Sequence, residues 1–317
     1  MKIIQCESGH RNQILLLPPL QKAKPSAGGI NSMTRLIGIF CSAILLAGCV
    51  QTMAIRTMGG IMDYGLEAFN EEGDLQLAGS ALGSNLKLVE ALIKGDPENE
   101  KLLLMAAQGF SAYALAFAED DSVERARLFY ARGRDYAMRV LTHNPRIKEA
   151  LDKDVAAFQA ALKTLSKDDV PAVFWTAFGW GSYINISRSD MSAMADLPKV
   201  LAMMEFVRDT DPRYYYGGPY LILGSIEGTV PRVLGGKPEK AKEYFERALA
   251  VNGGKFLLTY VYYAKTYAVQ EQDRELFESL LTKVDEASLD ILPAARLSNA
   301  VAKKKAKLLR SRINDLF

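Results

Sequence analysis

The residues able to carry chemistry are few in this chain, and histidine and cysteine are the scarcest of them. The histidines are His10 and His143, and the cysteines are Cys6, Cys41 and Cys49. A zinc site needs clustered ligands, and nucleophilic catalysis needs a base beside the nucleophile. No G-x-S-x-G, Walker A or G-x-G-x-x-G pattern occurs in the sequence. We therefore predict a protein that is not an enzyme and that uses neither a metal nor a cofactor.

Carboxylates are the remaining candidates for acid–base chemistry, and they cluster in three places. Two carboxylates in one cleft can hydrolyse a substrate without histidine, so a carboxylate-only hydrolase stays open as an alternative. The three runs fall at predicted turns, where a solvated acidic turn is the simpler interpretation. They are Glu71-Glu72, Glu119-Asp120-Asp121 and Asp168-Asp169.

His143 and the lysines of the last predicted helix have structural interpretations. His143 precedes Asn144-Pro145, a pair that marks a helix end, and a protonated imidazole there faces the negative end of the helix dipole. The last predicted helix carries Lys303, Lys304, Lys305 and Lys307. We interpret it as the solvated end of a helical array, with contact to anionic lipid headgroups as the alternative.

Cys49 lies in the most specific motif of the chain. Arg35 precedes an apolar stretch from Leu36 to Leu46, which is too short to span a bilayer as a helix. The stretch ends in Leu46-Ala47-Gly48-Cys49 and resembles the signal peptide and lipobox of bacterial lipoproteins. In that motif the thiol accepts a diacylglyceryl group before cleavage. We therefore predict lipidation at Cys49 and an anchor in the cell envelope.

The motif divides the chain into three segments. Residues 1–32 resemble a non-native N-terminal extension, with a long signal-peptide n-region as the alternative, and residues 33–48 form the signal peptide. Residues 49–317 form the mature domain on the periplasmic face, and Val50 after the cysteine favours the outer membrane over the inner one. The basic excess of the whole chain, whose net charge is +2, comes from residues 1–48. Composition therefore gives no reason to expect nucleic-acid binding.

Apolar residues after position 52 recur at helical spacing, and no alternating strand pattern stands out. The sequence predicts an all-α fold in which short connections make successive helices antiparallel neighbours. Glycine and proline mark the breaks between them. The predicted helices are 53–71, 75–94, 98–118, 122–142, 147–165, 170–187, 195–209, 214–229, 238–251, 255–270, 273–286 and 293–313.

Several of these helices match the tetratricopeptide pattern, in which a small residue lets two helices approach closely and large residues fill the groove. Matches begin at 105, 175, 220 and 260, with spacings wider than the family period of about 34 residues. We predict an antiparallel helix-hairpin array of divergent tetratricopeptide-like repeats, an α-solenoid. A non-repeat helical bundle is the alternative. The clearest matches are Trp175-x2-Phe178-Gly179, Tyr220-x2-Leu223-Gly224, Tyr260-x2-Tyr263-Ala264 and Ala241-x3-Phe245-x2-Ala248.

Aromatic residues are concentrated in the predicted helix 170–187 and at the start of 214–229. At helical spacing, Trp175, Phe178 and Tyr183 cannot all share one face with Trp180. One set would fill the core between helices and the other would line a concave surface. The candidates to line a cleft or pore are Trp180, Tyr214 and Tyr215. The alternative is that all of these residues are core.

Five runs in fixed order give a more specific resemblance, which covers roughly residues 57–290. The chain resembles the T-component of TRAP (tripartite ATP-independent periplasmic) transporters, often called TatT. The runs are AAQGFSAYALAFAED (106–120), FWTAFGWGSYINISRSD (174–190), ADLPKVLAMMEF (195–206), DPRYYYGGPYLILGS (211–225) and VPRVLGGKPEKAKEYFERAL (230–249).

The resemblance implies an exported, all-helical, non-catalytic accessory lipoprotein of a TRAP transport system. It further implies that the partner is a periplasmic solute-binding protein and that an apolar ligand passes through the helical body. A general tetratricopeptide-like scaffold for envelope assembly is the alternative function. Self-association into a homo-oligomer stays open.

Overall fold

Helices follow one another throughout residues 59–317, the part of the chain that this computed structural model describes, and that part contains no strand. Cys49, the predicted signal peptide 33–48 and the extension 1–32 lie outside it. The helices are α1 (Gly59–Asn70), α2 (Leu75–Gly95), α3 (Glu100–Tyr113), α4 (Val123–Leu141), α5 (Pro145–Ala150), α6 (Val155–Leu162), α7 (Val170–Asn185), α8 (Met191–Met194), α9 (Leu197–Thr210), α10 (Tyr214–Glu227), α11 (Pro238–Asn252), α12 (Leu258–Tyr263), α13 (Arg274–Glu286), α14 (Arg296–Ser311) and α15 (Ile313–Leu316).

Side-chain caps explain where several helices begin. The Asp74 carboxylate accepts hydrogen bonds from the backbone N–H groups of Gln76 and Leu77, and starts α2. Asn99 caps α3 through Leu102 N–H in the same way. Such caps satisfy backbone donors that have no partner within the helix. The predicted helix bounds are therefore close to the observed ones for most of the array.

Two short π-helical turns extend helices of the array. Ala114–Ala118 continues α3, and Ala264–Ala268 continues α12. The first belongs to a helical stretch, Glu100–Ala118, that is the one helix within residues 59–317 long and apolar enough to cross a membrane. More than half of that stretch is buried among the other helices. Its apolar character is therefore explained by its place in the core.

The long helices form an array in which each packs against the next, from α2 to α3 to α4 and then to α7, α9, α10 and α11. α12, α13 and α14 continue the series, while the short α5 and α6 lie in the connection between α4 and α7. The last long helix, α14, also contacts α1 and α2. The all-helical, solenoid-like fold is confirmed, and its two ends meet.

Small residues set the closest helix contacts, as the repeat pattern predicts. Gly179 of α7 lies against the backbone of α4, where a Cβ would come 2.8 Å from Arg134 N and 2.9 Å from Tyr130 O. Gly224 of α10 faces the ring of Phe245 of α11, which a Cβ would approach to 3.2 Å. In the sequence Gly179-Trp180-Gly181, the first glycine thus allows close packing of α7 against α4.

Two helix predictions are wrong in detail. The single helix predicted over 147–165 is interrupted between α5 and α6, because the Asp154 carboxylate accepts a hydrogen bond from Ala157 N–H at 2.8 Å and starts a new helix. The helix predicted from 214 is not regular at its start. Tyr215, Tyr216 and Gly217 have left-handed backbone angles, with φ of 46°, 60° and 81°.

The interpretation of Glu119-Asp120-Asp121 as a solvated turn is wrong for its first two residues. The Glu119 side chain is 11% exposed and lies 3.3 Å from Lys265 Nζ. The Asp120 side chain is 15% exposed and lies 3.0 Å from Nζ of Lys305. Sequence alone could not show that α14 and the π-helical turn after α12 return to cover this turn.

The last helix is also less solvated than predicted, because Lys305 is buried and pairs with Asp120. Lys304 donates to the carbonyl oxygen of Ala116 at 3.2 Å, so it too points into the array. Lys307 is exposed. The basic residues of α14 therefore divide between the interior contact and the surface.

Candidate functional site

The helices enclose a cavity of about 750 Å³. Its wall includes residues of α1, α2, α3, α4, α7, α10, α12 and α14, together with both π-helical turns. Most of the side chains that reach it are aliphatic or aromatic. Volumes of 300–1,000 Å³ and apolar walls with a few polar groups are typical of small-molecule sites. This cavity is the candidate functional site.

Aromatic rings of α7 and α10 form one part of the wall. Phe174, Trp175 and Phe178 of α7 meet Tyr215 of α10 there. The Trp175 and Tyr215 rings lie 5.0 Å apart in an edge-on arrangement, and the Phe174 and Phe178 rings stack at 6.2 Å. Edge-on and offset contacts of this kind stabilise aromatic clusters beyond their buried area. The wall is therefore closely packed on this side.

The structure places the three predicted lining residues differently. Tyr215 lies in the cavity wall, whereas Trp180 and Tyr214 are outside it. Trp180 is 9% exposed and has the Arg134 guanidinium over its ring at 5.8 Å. Tyr214 packs behind the wall, with its ring 5.0 Å from that of Phe174. Trp180 supports the α4–α7 contact, and Tyr214 supports Phe174.

Sequence reasoning missed Trp175 and Phe178 as cavity residues. The repeat pattern assigns them to the core between paired helices, and Trp175 is indeed 4% exposed. Because the array closes on itself, one side of that core faces the enclosed space. Their spacing of three positions, which places both on one helix face, was the available signal.

The left-handed turn at the start of α10 sets the position of Tyr215. A left-handed conformation costs an L-residue about 1–2 kcal/mol, so only surrounding contacts can hold two tyrosines in it. The Asn252 side-chain amide donates to Tyr216 O at 3.1 Å, and the Tyr216 hydroxyl donates to Ala294 O at 3.2 Å. A Cβ on Gly218 would lie 2.7 Å from the Phe174 ring, so the chain passes directly over that aromatic residue.

The tyrosine hydroxyls of this region stay neutral over the physiological range. Burial raises the pKa of Tyr215 to about 12, against a smaller lowering by Ser298. Burial also raises the pKa of Tyr214 to about 12. Tyr215 therefore presents a phenol and an aromatic face to the cavity, without charge.

A polar cluster interrupts the apolar wall at Glu119, which follows the first π-helical turn, and Lys265, which lies in the second. Glu119 accepts a hydrogen bond from the Tyr130 hydroxyl at 2.8 Å and pairs with Lys265 at 3.3 Å. Burial, followed by the charges of Glu119 and Asp120, raises the pKa of nearby Tyr262. Short π-helical turns inside α-helices are frequent at functional sites. Here they bring an ion pair to the wall of the cavity.

Arg188 is a third charged residue in the wall, beside Glu119 and Lys265. It follows the end of α7 and donates to the Asn185 Oδ1 atom, with its Nε at 3.2 Å. Arg188 and Asn185 are also the wall residues that are exposed to solvent. They therefore lie where the cavity meets the surface.

The described residues hold no group of three or more His, Cys, Asp or Glu side chains that could bind a metal ion. His143 lies beyond α4, away from the cavity wall. Its ring nitrogens lie 3.0 Å from Glu100 Oε1 and 3.0 Å from Glu98 Oε2. These contacts join the connection after α4 to the start of α3. We therefore assign His143 a structural role.

A family model described as TRAP transporter T-component matches residues 71–317. The chain belongs to this family. A protein of Treponema pallidum (strain Nichols), described as an uncharacterized protein, is 24% identical over 309 residues, which cover 88% of this chain and 96% of that protein.

Membership in the T-component family makes the chain an accessory component of a TRAP transport system and associates it with the cell envelope. The family is not a class of enzymes.

Proposed function

We propose that the chain is a lipid-anchored accessory lipoprotein that binds the periplasmic solute-binding protein of a TRAP system and holds an apolar ligand in its cavity. Lipid on Cys49 would keep the helical body at the membrane surface on the periplasmic side, with the outer membrane favoured. The observation that carries the proposal is the apolar cavity of about 750 Å³ inside a T-component.

The composition of the wall supports an apolar ligand. Phe174, Trp175 and Phe178 offer rings, and Leu221 and Leu258 offer aliphatic surface. Transfer of apolar ligand surface from water contributes about 25 cal/mol per Å². The Glu119–Lys265 pair satisfies both of its charges within the protein, so it makes little demand on a ligand.

Binding of a solute-binding protein is supported by the family and by the kind of fold. Arrays of paired helices present extended surfaces to protein partners, and a transport accessory with a ligand cavity needs a partner that delivers or accepts the ligand. The lipid anchor would restrict the search for that partner to the membrane surface.

Crosslinking in the native host tests the partner. A tagged, lipidated chain would be treated with a short amine-reactive crosslinker, captured, and its partners identified by mass spectrometry. The expected result is enrichment of a TRAP-type solute-binding protein over a control in which the same lipobox anchors an unrelated domain. Enrichment of envelope-assembly proteins, with no solute-binding protein, would instead favour the general scaffold.

A further inference from the structure

The charges in the cavity wall do not balance one another. Three charged side chains reach it, and Glu119 and Lys265 pair with each other at 3.3 Å. Arg188 has no carboxylate within ion-pair distance among residues 59–317; its acceptor there is the neutral Asn185 amide oxygen. The guanidinium has five N–H donors, so donors of Arg188 remain for another acceptor.

Arg188 stands at the border between apolar wall and solvent. The residue is exposed, whereas Ile184 of the same wall is buried and Ile186 is half-buried. Met194 and Leu197 continue the apolar surface on the other side of Arg188 in the sequence. A molecule that fills the cavity and ends at its mouth would therefore have its last polar group beside a guanidinium.

Filling the cavity with a wholly apolar molecule would strip water from this guanidinium. Partial burial already lowers the pKa of Arg188 below its usual value, although the group remains charged. A desolvated charge is costly unless it is paired and hydrogen-bonded. An oxyanion on the ligand would replace the lost water with charge-assisted hydrogen bonds, which guanidinium forms in a planar, two-pronged geometry.

We propose that the cavity takes an amphiphile, with its apolar chain against the aromatic wall and a single oxyanion headgroup, carboxylate or phosphate, bound by Arg188. The proposal rests on the ligand-binding part of the proposed function and specifies its chemical class. The Asn185 Oδ1 atom orients the guanidinium by accepting hydrogen bonds from one edge of it. The N–H donors of the other edge face the headgroup.

Binding of three ligands with the same chain tests this assignment. The three ligands are hexadecanoate, hexadecyl phosphate and the neutral hexadecanol. Each would be titrated, below the concentration at which it forms micelles or aggregates, into purified protein from which bound lipid has been removed. Binding would be followed by displacement of a fluorescent apolar probe. The wild-type protein is expected to bind at least one of the two anions about tenfold more tightly than hexadecanol, the effect of one charge-assisted contact at the cavity mouth. The anion that binds more tightly identifies the headgroup.

Arg188→Gln should remove that preference and leave the affinity for hexadecanol unchanged, which also shows that the variant is folded. Arg188→Lys should keep part of the preference, since it retains the charge but not the planar fork. The matched control is Arg146→Gln, which removes an exposed arginine at the start of α5 and should bind like wild type.

Three results would overturn the proposal. If wild type binds hexadecanol as tightly as both anions, or if Arg188→Gln keeps the preference, the headgroup assignment fails while the apolar cavity stands. If none of the three ligands binds, the assignment fails together with the ligand-binding part of the proposed function. Crosslinking to a solute-binding protein is independent of either result.

Discussion

Gly179 of α7 lies directly against Tyr130 of α4, so close that a Cβ on the glycine would come 2.9 Å from the tyrosine carbonyl oxygen. The same Cβ would come 2.8 Å from the Arg134 backbone nitrogen. Since backbone atoms cannot move aside as a side chain can, Gly179→Ala must push the two helices apart. Tyr130 and Phe178 both line the cavity, so this contact also sets its width.

We therefore expect Gly179→Ala to lower the free energy of unfolding by about 1–3 kcal/mol, the usual cost of overpacking a core. Urea denaturation followed by circular dichroism measures it. The control is Gly65→Ala in α1, where no atom lies within 4 Å of the new Cβ and higher helix propensity should add about 0.5–1 kcal/mol. Equal stability of the two variants would show that the α4–α7 contact is not close-packed.

The ion pair of the buried Lys305 with Asp120 joins α14 to the turn after α3. Lys305 is 5% exposed and its Nζ lies 3.0 Å from Asp120 Oδ1, while Lys304 lies 3.5 Å from the same carboxylate. Lys305→Met should lower the free energy of unfolding by about 1–3 kcal/mol, less than for an isolated buried pair because Lys304 still compensates Asp120.

The control for that prediction is Lys307→Met, which changes an exposed lysine of the same helix and should alter stability by less than about 0.5 kcal/mol. Chemical denaturation of both variants makes the comparison. If Lys305→Met is as stable as Lys307→Met, the pair does not hold the end of the array.

His143 makes stability depend on pH. Hydrogen bonds and charge from Glu100 and then Glu98 raise the pKa of His143 above its ordinary value of 6.5 in the folded state. A raised folded pKa means that the folded state binds the proton more tightly, so the added stability is complete below about pH 6.5 and is lost as the pH rises through the folded pKa.

Unfolding midpoints in urea, measured at pH 6 and pH 8 on residues 49–317, test this pH dependence of stability. Wild type should lose stability across that interval relative to His143→Gln, in which the titrating group is gone. Because the site is well exposed to solvent, the difference should also shrink in high salt. Parallel pH profiles for the two proteins would contradict the role of the two carboxylates.

Local patterns in the sequence were enough to predict most helix positions, since apolar spacing and glycine and proline breaks act over a few neighbouring residues. The close approach at Gly179 was predicted for the same reason. The left-handed turn at Tyr215 and Tyr216 was not, because contacts from Asn252 and Ala294, far along the chain, hold it in place.

The candidate site was harder to predict than the fold. The cavity takes part of its wall from α14 and α1, and α14 returns to α1 and α2; no local pattern encodes that closure. Of the three proposed lining residues, Tyr215 reaches the cavity while Trp180 and Tyr214 do not. The pairs Glu119–Lys265 and Asp120–Lys305 join residues more than 140 positions apart, so their burial could not be seen in the acidic run.

Lipidation at Cys49 gives a prediction about location alone. Cys49→Ala should release the protein from membranes and leave its circular dichroism and unfolding midpoint unchanged, because the proposed role of that sulfur is attachment of the lipid alone. Membrane fractionation in high salt measures the release. The control is wild type, which should incorporate labelled palmitate and sediment with the membranes. A variant that still sediments with membranes would contradict the lipid anchor.

The most direct test of a ligand-holding cavity is binding of the neutral apolar probe N-phenyl-1-naphthylamine. Its binding to wild type would be compared with its binding to a variant in which a large side chain fills the cavity. Ala112→Trp places an indole in the cavity wall, and the control Ala160→Trp places one on the exposed face of α6. We predict saturable binding to wild type and to Ala160→Trp, and loss of binding in a folded Ala112→Trp. Undiminished binding when the cavity is filled, or no saturable binding to wild type, would contradict a ligand-holding cavity.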